Sequence, residues 1–132
     1  MMVDRRSFIR CVGALFGIFM TLPTRLARAK SLAIPIAKAK KLEKAGGSMI
    51  LKVKGQQVLF IRDTEETIRA FDPICTHKGC TVVFNKDAGR IECPCHQSAF
   101  NLEGGVVRGP ASRSLKTYDA KLDGQRIVLS LN

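Results

Sequence analysis

The amino-acid sequence predicts an all-β fold, and three observations carry that prediction. After residue 48 no long stretch repeats its apolar residues at the spacing of a helix, about 3.6 residues. The apolar residues come instead as short runs of strand length. The runs are separated by Gly- and Asp-containing turn signals.

The elements follow in order. Runs at 49–53 and 58–62 flank Lys54-Gly55-Gln56-Gln57, a hairpin signal. A third run is 68–71. Runs at 81–84 and 90–93 flank Asp87-Ala88-Gly89, a second hairpin. Glu103-Gly104-Gly105 turns the chain into a short run at 106–108. Runs at 115–122 and 126–131 flank Asp123-Gly124, a strong two-residue turn signal. No internal repeat is present.

The residues before 48 read differently. Adjacent Arg5 and Arg6 are followed by Ser7-Phe8, then an apolar run at 11–22, Pro23 and a basic stretch ending Ala27-Arg28-Ala29. A run of 12 suits the apolar part of an export signal and falls short of the ~20 residues of a membrane-spanning helix. The paired arginines resemble a twin-arginine signal, and Ala-Arg-Ala resembles a small-residue cleavage site. Residues 1–29 are therefore expected to be a signal peptide cleaved after Ala29 or, if kept, a membrane anchor through 11–22. Residues 30–47, rich in Lys and Ala with Pro35 inside, are expected to be a tether. The folded domain is expected at 48–132.

The formal charge is +11, and residues 30–132 keep +7 of it. The basic residues are spread out, no aromatic platform is interleaved with them, and the chain has no Trp and one Tyr. That pattern argues against nucleic acid. A solvated basic surface or an acidic redox partner accounts for the charge.

Chemistry is concentrated in one stretch. Apart from Cys11, every Cys and both His lie between Cys75 and His96. Two segments hold them: Cys75-Thr76-His77-Lys78-Gly79-Cys80 and Cys93-Pro94-Cys95-His96-Gln97-Ser98. Each follows a strand-like run and offers a Cys and a His suited to a metal, plus one further Cys. A zinc site of two Cys and two His fits the tight spacing and the surplus cysteines poorly. A catalytic Cys-His pair leaves the doubled arrangement without a purpose. A pure disulfide module leaves both histidines without one.

The paired motif, C-T-H-x-G-C followed after 12 residues by C-P-C-H-x-S, resembles the Rieske family of the cytochrome bc type over residues 34–132. The resemblance implies a small antiparallel β-sandwich with a cluster-binding subdomain of two loops at one end. It implies a 2Fe-2S cluster with Cys75 and Cys93 on one iron and His77 and His96 on the other. It implies a Cys80–Cys95 disulfide between the loops. Neutral imidazoles in place of two thiolates remove negative charge, so such centres run at about −150 to +300 mV against roughly −400 mV for all-thiolate plant-type centres. By the same resemblance the Ser98 hydroxyl donates to a bridging sulfide. Phe100 stands where high-potential members place a Tyr, and Gly109-Pro110 belong to a loop covering the cluster.

The function expected is one-electron transfer, as an exported carrier or small iron–sulfur subunit of a periplasmic oxidoreductase. The partner would be a cytochrome or a larger oxidoreductase subunit. The alternative is the iron–sulfur subunit of a quinol-oxidising cytochrome bc complex, which meets quinol through a cytochrome b. Oxygenase chemistry needs a further mononuclear iron site, and no histidine remains for one. Lys78 at the tip of the first motif favours the carrier role, because burying it at an apolar docking face would be costly.

Overall fold

The structure is a computed structural model and describes residues 30–131. The expected signal peptide or anchor at 1–29 lies outside those residues. Ten strands form two antiparallel sheets. The larger has six strands in the order β1-β10-β9-β4-β3-β2. Its members are β1 (Ser31–Pro35), β2 (Ser48–Val53), β3 (Gln56–Arg62), β4 (Ile68–Phe71), β9 (Thr117–Asp123) and β10 (Arg126–Ser130). The smaller has four in the order β5-β6-β7-β8: Val83–Asn85, Arg90–Glu92, Ala99–Phe100 and Val106–Arg108.

Strand β3 explains how two cores arise from one chain. Val58-Leu59-Phe60-Ile61 is buried at every position rather than at alternate ones. Successive side chains of a strand point to opposite faces. Val58 and Phe60 therefore enter a core with Ile68, Ala70, Tyr118, Ile127 and Leu129. Leu59 and Ile61 enter a second core with Phe71, Val82, Ile91 and Phe100. The second core also contains Cys75 and Cys93, so the two loops that carry the paired Cys and His motif are rooted in it.

The expected tether at 30–47 is corrected. Ser31–Pro35 pairs along its whole length with β10, in register Ser31↔Ser130 to Pro35↔Arg126. Two single-turn 3-10 helices, Ile36–Lys38 and Lys40–Leu42, follow. They bury Ile36, Ala39 and Leu42 in the first core. Lys and Ala dominate the composition of this stretch, but its apolar residues are spaced to face the sheet. The described domain thus begins with residue 31, not 48.

The hairpins form where expected, with small shifts. Val53 pairs with Gln56, so the β2–β3 turn is Lys54-Gly55 alone. Both of its residues have positive φ, 50° and 83°, as a tight turn matched to strand twist requires. Asp123 pairs with Arg126, which moves the β9–β10 turn to Gly124-Gln125. In the β5–β6 hairpin, Asn85 and Arg90 donate to the Glu92 carboxylate and hold it below its usual range. Strand β7, two residues long, was not expected.

Candidate metal centre

Two loops at one end of the smaller sheet carry the motif, and their backbones repeat one design. In the first, the Cys75 N–H donates to the Cys80 carbonyl (2.7 Å) and the Gly79 N–H to the Cys75 carbonyl (3.0 Å). In the second, the Cys93 N–H donates to the Ser98 carbonyl (2.8 Å) and the Gln97 N–H to the Cys93 carbonyl (3.0 Å). Each loop is thus a six-residue knuckle closed on its leading cysteine. The fifth residue of each takes positive φ, 78° at Gly79 and 65° at Gln97. Glycine adopts that conformation freely, whereas Gln97 adopts it at a steric cost.

The knuckles bring the chemistry together. Cys75 and Cys93 are both buried and both unoxidised. His77, third in its knuckle, and His96, fourth in the other, meet edge to face, with ring centres 4.8 Å apart and planes at 86°. His77 is half-buried and His96 exposed. The Nδ1 atom of His77 is buried without a hydrogen-bond partner among the described residues. A buried imidazole nitrogen left without a partner is costly, and a metal is one way to satisfy it. Two thiols and two imidazoles on facing loops are a donor set that suits iron.

Cys80 and Cys95 form a disulfide, with Cα atoms 6.4 Å apart, and so join the two knuckles covalently. The Cys93 sulfur lies within 4.8 Å of both disulfide sulfurs. The bonded pair has no thiolate to give a metal, and Cys75 and Cys93 keep free thiols.

A third loop, 109–116, is fastened to both knuckles. The buried Ser98 Oγ accepts from the Ala111 N–H (3.0 Å), so the hydroxyl proton stays free to donate elsewhere. The Arg108 Nε donates to the Gln97 carbonyl (2.8 Å). The Thr76 hydroxyl donates to the Arg113 carbonyl (2.6 Å), and Arg113 Nη2 reaches back to the Thr76 carbonyl (3.5 Å). Gly109 and Pro110, joined by a cis peptide bond, are exposed at the start of this loop. Sequence reasoning missed Thr76, Arg108 and Arg113. The only available signal was Thr76 inside the motif, since the other two lie far along the chain. Phe100 is fully buried in the second core and pairs across the sheet with Ile91 and Val106.

The family model for the Rieske [2Fe-2S] domain matches residues 33–119. This chain belongs to the Rieske family. The cofactor of the domain is a Rieske-type 2Fe-2S cluster, its function is electron transfer, and its fold is the all-β one expected. Among curated relatives, the cytochrome b6-f complex iron-sulfur subunit 1 of Nostoc sp. strain PCC 7120 is 35% identical over 85 residues. The corresponding subunit of Prochlorococcus marinus strain SARG is 38% identical over the same length. Each match covers 63% of this chain and 48% of the relative, so the chain spans about half the length of the curated relatives it matches. Among solved structures, the cyanobacterial plasma membrane Rieske protein PetC3 from Synechocystis PCC 6803 superposes with a TM-score of 0.61 at 30% identity. That match covers 76% of this chain and 99% of the Synechocystis Rieske protein. The ferredoxin of carbazole 1,9a-dioxygenase from Nocardioides aromaticivorans IC177 superposes at 0.60 with 27% identity, covering 67% of this chain and 88% of the ferredoxin. No helix among the described residues is long and apolar enough to cross a membrane.

Proposed function

We propose that Cys75 and Cys93 hold one iron of the Rieske cluster, that His77 and His96 hold the other, and that this Rieske protein passes electrons as an exported carrier or small iron–sulfur subunit. The single observation that carries the ligand assignment is the doubled knuckle: two equivalent backbones present one buried thiol and one imidazole each, and the imidazoles already touch. When bound, the cluster takes up and releases one electron at a time. The residues around it do the rest. The disulfide and the Ala111–Ser98 bond hold the three loops at a set separation, which limits reorganisation as charge changes. The Ser98 proton is available to an acceptor on the cluster side, which favours the reduced state. His96 is the exposed ligand and the one that a partner or a quinol would reach first.

Export is supported by the twin-arginine-like leader and by a disulfide that an oxidising compartment would preserve. The purified full-length protein, reduced, is expected to give an EPR spectrum with average g well below the free-electron value. A silent spectrum, or that of an all-thiolate cluster, would falsify the assignment. Cys93→Ser and His96→Ala should each abolish the signal.

A second reading is favoured by the names of the curated relatives, which are subunits of cytochrome b6-f complexes. In it the protein is the iron–sulfur subunit of a quinol-oxidising complex, anchored through residues 11–22. Copurification with a cytochrome b from the native membrane would decide for this role. Recovery in the soluble periplasmic fraction without one would decide for the carrier.

A further inference from the structure

On the electron-transfer reading above, we propose that a recess beside His77 is the docking socket for an acidic partner protein, which seats a surface carboxylate there. The recess is open, encloses about 350 Å3, and lies between the first knuckle and the third loop. Lys78, Arg113 and Lys116 line it, with Asp72 as the one acid, and Cys75 and His77 form part of its wall. None of the three cations has an ion-pair partner among the described residues.

Two of the three cations are held in place. The Arg113 guanidinium bonds the Thr76 carbonyl, and the Arg113 carbonyl accepts from the Thr76 hydroxyl. The Lys116 ammonium stands 5.1 Å from the centre of the Tyr118 ring. One carboxylate against three cations leaves the recess net positive, and the Asp72 Oδ1 is engaged by the Ile74 N–H (3.0 Å). Ile74, 43% exposed, adds an apolar surface at the same place. Cations around an apolar residue match the mixed character of a protein interface, in which charge sets encounter rate and register.

A free oxyanion fits less well. Such sites are built on converging backbone N–H groups. Here the N–H groups of Ile74, Cys75 and Gly79 are all spent on internal bonds. The three side-chain cations suit a carboxylate carried by a partner. Because the knuckle of Cys75 and His77 is the wall of the recess, a partner docked there lies against the ligand loop itself.

A second basic recess supplies the control. Lys40, Lys41, Lys44 and Lys86 line it, around Gly46 and Gly47, away from the knuckles. Lys78→Glu/Lys116→Glu and Lys40→Glu/Lys44→Glu therefore change the net charge equally at different places. Each variant of the cluster-loaded full chain is reduced and mixed in a stopped-flow instrument with a soluble c-type cytochrome of net negative charge. A second c-type cytochrome, of net positive charge, is used for comparison. Rates are taken between about 0.01 and 0.15 M ionic strength, over which the Debye length falls from roughly 30 to 8 Å. The wild-type rate with the acidic cytochrome is expected to fall as salt rises. At low salt the Lys78/Lys116 pair of substitutions should slow it about tenfold or more, and the Lys40/Lys44 pair less than about twofold. Lys78→Ala/Lys116→Ala should give a smaller drop in the same direction, and neither recess variant should slow transfer to the basic cytochrome. Equal slowing by both glutamate pairs, or no slowing by the recess pair, overturns the socket. EPR spectra of every variant separate the two levels: intact spectra with unchanged rates overturn the docking proposal alone, whereas a wild-type protein lacking the cluster signal overturns the reading beneath it.

Discussion

Phe100 and Ser98 are two single side chains whose substitution tests the proposed centre. Phe100 is fully buried in one core with the free thiols of Cys75 and Cys93, so a tyrosine there would carry its hydroxyl into the apolar core that holds both thiols. A buried hydroxyl without a partner costs on the order of 1–3 kcal/mol. With a thiolate as acceptor it would instead favour the reduced cluster. Phe100→Tyr is therefore expected to raise the reduction potential with little loss in Tm. An unchanged potential with a lowered Tm would show that the hydroxyl finds no acceptor. Ser98→Ala should act in the opposite sense on both quantities. It removes a hydroxyl proton from the cluster side, which lowers the potential. It also strands the Ala111 N–H in a buried site, which costs about 1–3 kcal/mol. Protein-film voltammetry and thermal melts measure the two effects separately.

At the scale of elements, two glycines distinguish close packing from backbone conformation. A Cβ on Gly47 would lie 1.7 Å from the Lys41 carbonyl oxygen, so the 3-10 turn ending at Leu42 and the entry to β2 would have to separate. Gly55, at the β2–β3 turn, has φ +83° and open space around it. Gly47→Ala is expected to destabilise by about 3 kcal/mol, the top of the usual overpacking range. Gly55→Ala should lose roughly 1–2 kcal/mol, the cost of a left-handed conformation alone. In a domain of this size those losses correspond to Tm drops of about 10 °C or more and about 5 °C or more. Equal drops would mean that the segment before β2 moves aside. The hairpin turns themselves were legible as glycine-centred signals, displaced by a residue or so because register depends on cross-strand pairing.

Across the whole molecule, β3 holds the parts together by giving one face to each core. The 3-10 segment closes the first core through Ile36, Ala39 and Leu42. Leu42→Ala should cost about 2–5 kcal/mol, as expected for a fully buried leucine. A chain starting at residue 48 should lose cooperative melting altogether, because β10 loses its edge partner and the first core is uncovered. A truncated chain that melted like the full one would return residues 30–47 to the role of a tether.

The sequence by itself determined the fold class, the family resemblance and the place of the two Cys- and His-bearing loops. Short apolar runs with turn signals are local features, and so is a dense pair of Cys- and His-bearing motifs. The tertiary structure alone decided three further things. It brought Thr76 to Arg113, Gln97 to Arg108 and Ser98 to Ala111, contacts between residues 11 to 37 positions apart. It placed the Lys- and Ala-rich segment against the sheet, where a few buried side chains outweigh composition. It also gathered Lys78, Arg113 and Lys116 around one recess. The physical reason is common to all three: pairing across sheets and loops joins residues that share no local pattern, and burial is settled by what the completed fold places opposite each side chain.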